Sequence, residues 1–428
     1  MKSEELNNID NNSEIKGKFH YKFLMILSTA YLAVEINIQG IMALMPYIRE
    51  EFTISRAHAG LYSTSYFLTA TIIAIFAGNI VDRIGSKKGL VFGTSMLGIF
   101  ILLHSLAPTY SILLFFALFT GLVFSIITPS VNKAVMKKVS PRRRALSMGF
   151  MQSGGGVGGF LGASLLPLLG SFLGWRNAIL FSGTLALIMG LFIFKFYHED
   201  KEVEENPKNK RKTGKFDDEA KSEQVSLRSN IITLLKNRKL LLVCVLGLVF
   251  GGTGGAIPAH YTLYLTHDLN FSRTAAGFCL GIFQIGGIIG RPLLGWLSDT
   301  ILKGDRRKSL PLVGFLLIVT SLIYSFYITG MNPARLIIYI FSLLLGIIGM
   351  GWMGFYFTTI GELAQAKYTG IATGLALVFV RSGVMITPPI FGYLADLSGT
   401  YSFSWLGIAI MLFIFTTGFL YFGRKLNY

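Results

Sequence analysis

Charge is what this sequence has least of. Only 14% of its 428 residues are Asp, Glu, Lys or Arg, against roughly 25% in soluble domains. Hydrophobic residues make up 52%, and they fall in runs of about 20, the span of a bilayer core. That balance excludes a water-soluble globular fold. Cysteine is nearly absent, and Cys244 and Cys279 both lie inside apolar runs. They offer neither a disulfide framework nor metal-ligand spacing, so both read as small core residues. No metal and no cofactor is expected. The first 20 residues are polar (Asn7, Asn8, Asp10, Asn11, Asn12) and lack the apolar core of a cleaved signal peptide. The first spanning helix is therefore expected to act as its own insertion signal. There is also no soluble basic domain to direct the formal charge of +17 at nucleic acid, so nucleic-acid binding is not expected.

What is present is a long series of apolar runs. Only helices and closed barrels satisfy their backbone groups in lipid, and these runs are too long for barrel strands. The sequence predicts an all-α membrane protein with twelve spanning helices, near residues 22–46, 59–80, 88–107, 110–132, 147–170, 175–197, 239–265, 274–298, 309–329, 334–360, 369–392 and 402–423. With the N-terminus inside, the outer loops hold only Arg49, Arg56, Arg176, Arg273 and Arg335 among the arginines and lysines. The inner side holds nearly all the rest, which places both termini in the cytoplasm by the positive-inside rule. The expected organisation is a cytoplasmic tail (1–21), a six-helix bundle (22–197), a polar cytoplasmic linker (198–238), a second six-helix bundle (239–423) and a short tail (424–428). The end of the linker, Ser226 to Leu235, regains helical periodicity behind a Ser and predicts a short amphipathic helix at the inner interface.

The two bundles repeat one another. At an offset of 217, Tyr47, Ser55, Arg56, Ala59, Gly60, Gly78 and Asp82 match Tyr264, Ser272, Arg273, Ala276, Gly277, Gly295 and Asp299. At 225, Gly121 and Gly149 match Gly346 and Gly374. An even six-helix unit repeats with the same in/out sense, and parallel repeats with a site at their interface are one architecture of secondary transporters.

The run Gly78-Asn79-Ile80-Val81-Asp82-Arg83-Ile84-Gly85-Ser86-Lys87 resembles the inner-loop signature of the major facilitator superfamily, G-x-x-x-D-R-x-G-x-K/R. Gly174-Trp175-Arg176 and Gly361-Glu362-Leu363, followed by Thr369-Gly370-Ile371-Ala372-Thr373-Gly374, also resemble landmarks of that superfamily. The resemblance implies two six-helix bundles that rock about a central site and give alternating access. Gly78 and Gly85 are expected to allow close helix approach and a tight turn. Asp82, with Arg83 and Lys87 beside it, can accept backbone N–H groups at a neighbouring helix end or pair with an Arg across the bundle. Contacts that form in one rocked state and break in the other make this turn, and its copy at Gly295 and Asp299, a conformational latch.

The fifth helix carries Gly154-Gly155-Gly156-Val157-Gly158-Gly159. Inside a spanning segment, with no preceding strand, that density lets two backbones touch and does not cradle a nucleotide. Drug/proton antiporters of the family usually carry Gly-Pro here, where this chain has Gly159-Phe160.

Ionisable residues at membrane depth are functional candidates, since a charge at the bilayer centre costs ~2.5–3.5 kcal/mol on insertion scales. Glu35 lies about halfway along the first helix and Arg381 about halfway along the eleventh. A guanidinium pairs bidentately with carboxylate or phosphate, so Arg381 can capture an anion. The alternative is a structural ion pair. Gly290-Arg291-Pro292-Leu293-Leu294-Gly295 resembles the eighth-helix segment of monocarboxylate transporters and oxalate:formate antiporters, where an Arg binds substrate carboxylate. The first-helix signature of the former is absent. Arg291 is thus either a ligand or a structural residue at the latch. Glu35 suits proton coupling, or a static pairing with a cation. Asn37, Gln39, Gln284 and Tyr264 are further candidates for substrate contact, and each also suits ordinary helix packing. Together these residues point to a multi-pass transporter in a prokaryotic-type cytoplasmic membrane, not an enzyme. It would act as a monomer and move a small organic anion, a carboxylate first of all, in a proton-coupled symport by alternating access. A proton-driven exporter of cationic or amphipathic compounds, and a non-transporting sensor on the same fold, remain open at this point.

Overall fold

In the computed structural model, residues 21–139, 143–198, 232–331, 333–364 and 368–425 are described. The N-terminal tail, most of the linker and most of the amphipathic segment expected before residue 236 lie outside them. The described residues are overwhelmingly helical and contain no strand. We label the spanning helices α1 (Tyr21–Ala43), α2 (Arg56–Ile84), α3 (Ser86–Ser105), α4 (Tyr110–Lys138), α5 (Arg144–Leu173) and α6 (Trp175–Phe196). They continue as α7 (Arg238–His267), α8 (Arg273–Ile301), α9 (Arg306–Met331), α10 (Arg335–Leu363), α11 (Thr369–Ser398) and α12 (Ser402–Lys425). Eleven of these are long and apolar enough to cross a membrane as single pieces, and α2 is the twelfth once its bent parts, Arg56–Ala74 and Phe76–Ile84, count as one span. Large apolar side chains such as Phe172, Leu191, Phe194, Ile414 and Phe422 are exposed on the helix surfaces, as a lipid solvent requires.

Several helices outrun the apolar windows that predict them. Helix α2 begins at Arg56 and reaches Ile84, because charged ends continue the hydrogen-bonded spiral beyond the hydrophobic stretch. The first span, by contrast, stops at Ala43, and a separate short helix, Met45–Phe52, follows. Pro46 has no N–H to continue the ladder, so the helix resets at Leu44. Gly85, with φ of +86°, and Gly174, with φ of +81°, make the abrupt turns between α2 and α3 and between α5 and α6, a backbone region that side chains disfavour.

Over the described residues the chain forms two compact units. The first lies within Met1–Phe52, Ser65–His198 and Arg273–Gly281, the second within Thr53–Thr64, Glu199–Ser272 and Ile282–Tyr428. In each, two helix pairs make the most extensive contacts: α1 with α5 and α3 with α6 in the first, α7 with α11 and α9 with α12 in the second.

Glycine sets the closeness of the first pair in each unit. An added Cβ on Gly158 would stand 2.6 Å from the Leu32 carbonyl oxygen, and one on Gly162 2.2 Å from that of Ile36. In the second unit, a Cβ on Gly251 would stand 2.2 Å from Val380 O and one on Gly383 1.9 Å from Leu248 O. Without lipid-excluding hydrophobic force between helices, such backbone contact is what holds a membrane pair together. At Gly78 the expected close approach is not present: a Cβ there, as at Gly295, would meet nothing within 4 Å.

Gly383→Ala should therefore destabilise the protein by at least about 3 kcal/mol through overpacking. Gly374→Ala on the same helix, where a Cβ meets nothing within 4 Å, should be neutral or slightly stabilising. Thermal unfolding of the two purified variants in detergent checks the contrast, and equal midpoints would show that the seam is not tight.

Candidate functional site

The sequence candidates divide between the units. In the first, Glu35 sits half-buried on α1, facing the α5 glycine seam, with a Cβ on Gly155 falling 3.4 Å from its Cγ. Gln39, one turn on, donates from Nε2 to Glu35 Oε2 at 3.2 Å. Asn37 donates to its own helix at Ala33 O, 2.7 Å away. The remaining amide oxygens, Asn37 Oδ1 and Gln39 Oε1, are buried with no hydrogen-bond partner among the described residues. Unsatisfied acceptors at this depth are costly unless something is to fill them.

In the second unit, Arg381 stands half-buried on α11 between Val380 and Gly383, the residues whose backbone presses against α7. Its position is thereby fixed by main-chain contact. Gln284 on α8 is only 4% exposed, and its Nε2 has no hydrogen-bond partner among the described residues. Arg291, two turns further along α8, is also half-buried. Tyr264 is fully buried in a cluster of rings with Tyr261, Tyr324, Tyr401 and Trp405, and its hydroxyl meets Thr329 Oγ1 at 3.0 Å. His260 belongs to the same environment, with Nε2 2.8 Å from Pro388 O. Packing accounts for both residues in this conformation.

The two Asp turns are engaged inside their own units. Asp82, 72% exposed, pairs with Lys133 of α4 at 3.0 Å, and the same ammonium donates to Val81 O and Asp82 O. Arg83 is exposed, while Lys87 lies over the Phe194 ring at 5.3 Å. Asp299 accepts from Arg306 at 2.8 Å, and Arg306 also reaches Glu362 at 3.1 Å and Ser298 Oγ at 2.6 Å. Arg306 thus ties the repeat copy of the turn to the Gly361-Glu362-Leu363 landmark. Lys133 was not singled out by the sequence. Its one available signal is a lone cation near the end of an apolar run.

Two further polar clusters, one in each unit, lie at helix ends far along the chain from those turns. Arg56, 5% exposed, donates from Nη2 to His267 Nε2 at 2.7 Å and to Gly399 O at 2.9 Å, and from Nη1 to Ala395 O. His267 Nδ1 lies 2.8 Å from Asp268 Oδ1, so the tautomer these partners require carries its proton on Nδ1. Asp396 accepts the backbone N–H groups of Arg56 and Ala57, both at 2.9 Å, which satisfies the open start of α2. In the first unit, Arg273 pairs with Glu50 and covers the Tyr47 ring at 4.4 Å. The Gly-Trp-Arg landmark clamps Glu51 through Trp175 Nε1 and Arg176 Nη2, and Arg176 also donates to Ser105 O and Ala107 O. Burial raises the Glu51 pKa, but the Arg176 and Trp175 hydrogen bonds outweigh it, and the carboxyl is held below its ordinary value. The 217-residue offset that aligns Arg56 with Arg273 also aligns Glu50 with His267 and Glu51 with Asp268. Extending the repeat by those residues would have exposed both clusters in the sequence.

Arg56→Gln removes a buried cation from carbonyls and a histidine that have no substitute donor. We expect a loss of about 3 kcal/mol in stability, and Arg56→Lys should not restore it, since one ammonium cannot span the three acceptors. A thermal midpoint for Arg56→Lys matching the parent would contradict the multidentate role.

Comparison with known proteins draws these features together. The chain is 24% identical over 401 residues to the D-galactonate transporter of Escherichia coli O6:H1, covering 90% of this chain and 91% of that one. It is 22% identical over 402 residues to the hexuronate transporter of Bacillus subtilis, covering 90% and 92%. Its fold matches a bacterial homologue of the human lysosomal transporter Spinster with a TM-score of 0.76 at 15% identity, over 94% of this chain and 96% of that one. The sequence profile of the Major Facilitator Superfamily matches residues 27–383 and, through the repeat, 262–426. This multi-pass membrane protein belongs to the Major Facilitator Superfamily of transporters.

Proposed function

We infer that the protein is a secondary active transporter for a small organic anion, a carboxylate in particular, coupled to protons and working by alternating access. The observation that carries the substrate class is Arg381, a guanidinium held at membrane depth on a backbone fixed against α7. A permanent cation there is disfavoured unless it has a task, and pairing with a carboxylate is the task its planar fork fits best. The relatives named for D-galactonate and hexuronate support the same chemistry, since both substrates are hydroxylated carboxylates. The open amide atoms of Asn37, Gln39 and Gln284 suit such hydroxyl groups. Arg291 serves as a second cation for the anion. Tyr264 acts from the aromatic cluster that supports α7.

Glu35 is the coupling group. Its hydrogen bond from Gln39 orients the carboxylate, and protonation would release that bond and change the charge facing the substrate. The halves 22–197 and 239–423 rock against each other, both termini lie in the cytoplasm, and one chain is the working unit. The Asp82 and Asp299 turns are the conformational latch of this reading: beyond the partners each has within its own unit, contacts made there in one rocked state break in the other.

Two measurements in proteoliposomes test this reading. Arg381→Gln should lower the apparent affinity for transported galactonate or hexuronate at least tenfold, as expected for loss of a charge-assisted pair worth about 1.5–3 kcal/mol. Transport by Arg381→Gln at the parent rate and affinity would end the anion-capture assignment. Glu35→Gln should keep substrate exchange while losing accumulation driven by an imposed pH gradient, and an unchanged response to the gradient would remove Glu35 from coupling.

A further inference from the structure

A cavity of about 710 Å³ opens on the outer surface of the second unit, away from every candidate above. One wall is a stripe of α7, including Leu241 and Val245, and the other a stripe of α12, including Phe415, Gly418 and Phe422. Gly418 makes the space: a Cβ there would meet nothing within 4 Å. Phe415 and Phe422 are exposed although wholly apolar, so the walls are dry and narrow enough to take hydrocarbon. At the mouth stands Arg238, which is exposed at the start of α7. Lys236, also exposed, adds a cation, and the first turn of α7 contains no acidic residue. The site thus joins a positive mouth at Arg238 to an apolar slot lying along a membrane-spanning pair.

We propose that this groove is a binding site for one phospholipid with an anionic headgroup, its phosphate on Arg238 and an acyl chain between α7 and α12. Charge complementarity selects the headgroup and the apolar slot selects the tail. A free phosphate would find the cation but leave the groove unfilled, and a neutral lipid would fill the groove but leave the cations unmatched. Basic residues flanking a membrane helix recognise anionic lipid headgroups, and the apolar slot gives the acyl chain a fixed place along the helix pair. The groove belongs to the surface around the helices and not to the candidate transport site, so its occupancy does not depend on which substrate is carried.

The test uses the full chain, purified in detergent, stripped of lipid and titrated with phosphatidylglycerol or phosphatidylcholine under native mass spectrometry. The parent should retain one phosphatidylglycerol several-fold more than phosphatidylcholine. Arg238→Gln should abolish that preference, while Gly418→Leu, whose Cβ meets nothing within 4 Å and whose side chain would extend into the slot, should lower retention of both lipids. Thermal unfolding of both variants in lipid-free detergent should match the parent, which separates loss of binding from loss of fold. Equal retention of the two lipids by the parent would mean non-selective surface lipid only and would overturn the proposal. So would a preference for phosphatidylglycerol that survives in Arg238→Gln, or masses showing that a second copy of the chain occupies the face.

Discussion

Main-chain contact between α1 and α5, and again between α7 and α11, is the constraint from which the rest of this structure follows. At Gly162 and Gly383 the approach is so close that not even a methyl group fits between the backbones. In a bilayer, where lipid tails solvate apolar side chains as well as a neighbouring helix does, interdigitated backbones and short-range dispersion must supply the association. The cost is paid in composition, with a stripe of glycine where a soluble helix would carry alanine or leucine. The benefit is positional accuracy. Glu35 and Arg381 each ride on one of these fixed pairs, so their depth and direction are set by the seam and not by flexible side-chain packing.

The same seam explains which parts of the protein could be read without coordinates. The twelve apolar runs, the repeat and the dense glycines of α5 are one-dimensional signals, and each corresponds to a helix or a helix contact in space. Helix ends were less legible. Hydropathy falls away at Arg56 or Asp82 while the hydrogen-bond ladder continues, and at Leu44 the ladder breaks inside an apolar stretch because of Pro46. Gly78 illustrates a different limit. A glycine in a family signature suggests close packing, yet its surroundings are open, whereas Gly85 two turns later does hold a conformation that requires it.

The polar residues were legible in proportion to how unusual their setting was. Glu35 and Arg381 stand out because ionisable side chains are rare at their depth. Tyr264 looked equally polar on paper, but rings from α9, α12 and the turn before α12 enclose it and Thr329 occupies its hydroxyl. The clusters around Arg56 and around Arg273 show the reverse error. Arginines at helix ends are ordinary topological markers, so the sequence offers no reason to single them out until their partners His267 and Glu50 are seen to obey the same repeat. The repeat marks these positions in the sequence, and the fold shows which of them pair.

A framework fixed by glycine has a bearing on how such a protein diversifies. Along α1 and α11 the faces turned to the seam tolerate almost no change, because any enlargement must move a whole helix. On the function proposed above, variation in what is carried would fall to side chains off that seam, such as Asn37 and Gln39 on α1 and Gln284 on α8. Relatives sharing under a quarter of their residues with this chain could thus keep one rigid chassis while exchanging cargo through a handful of substitutions.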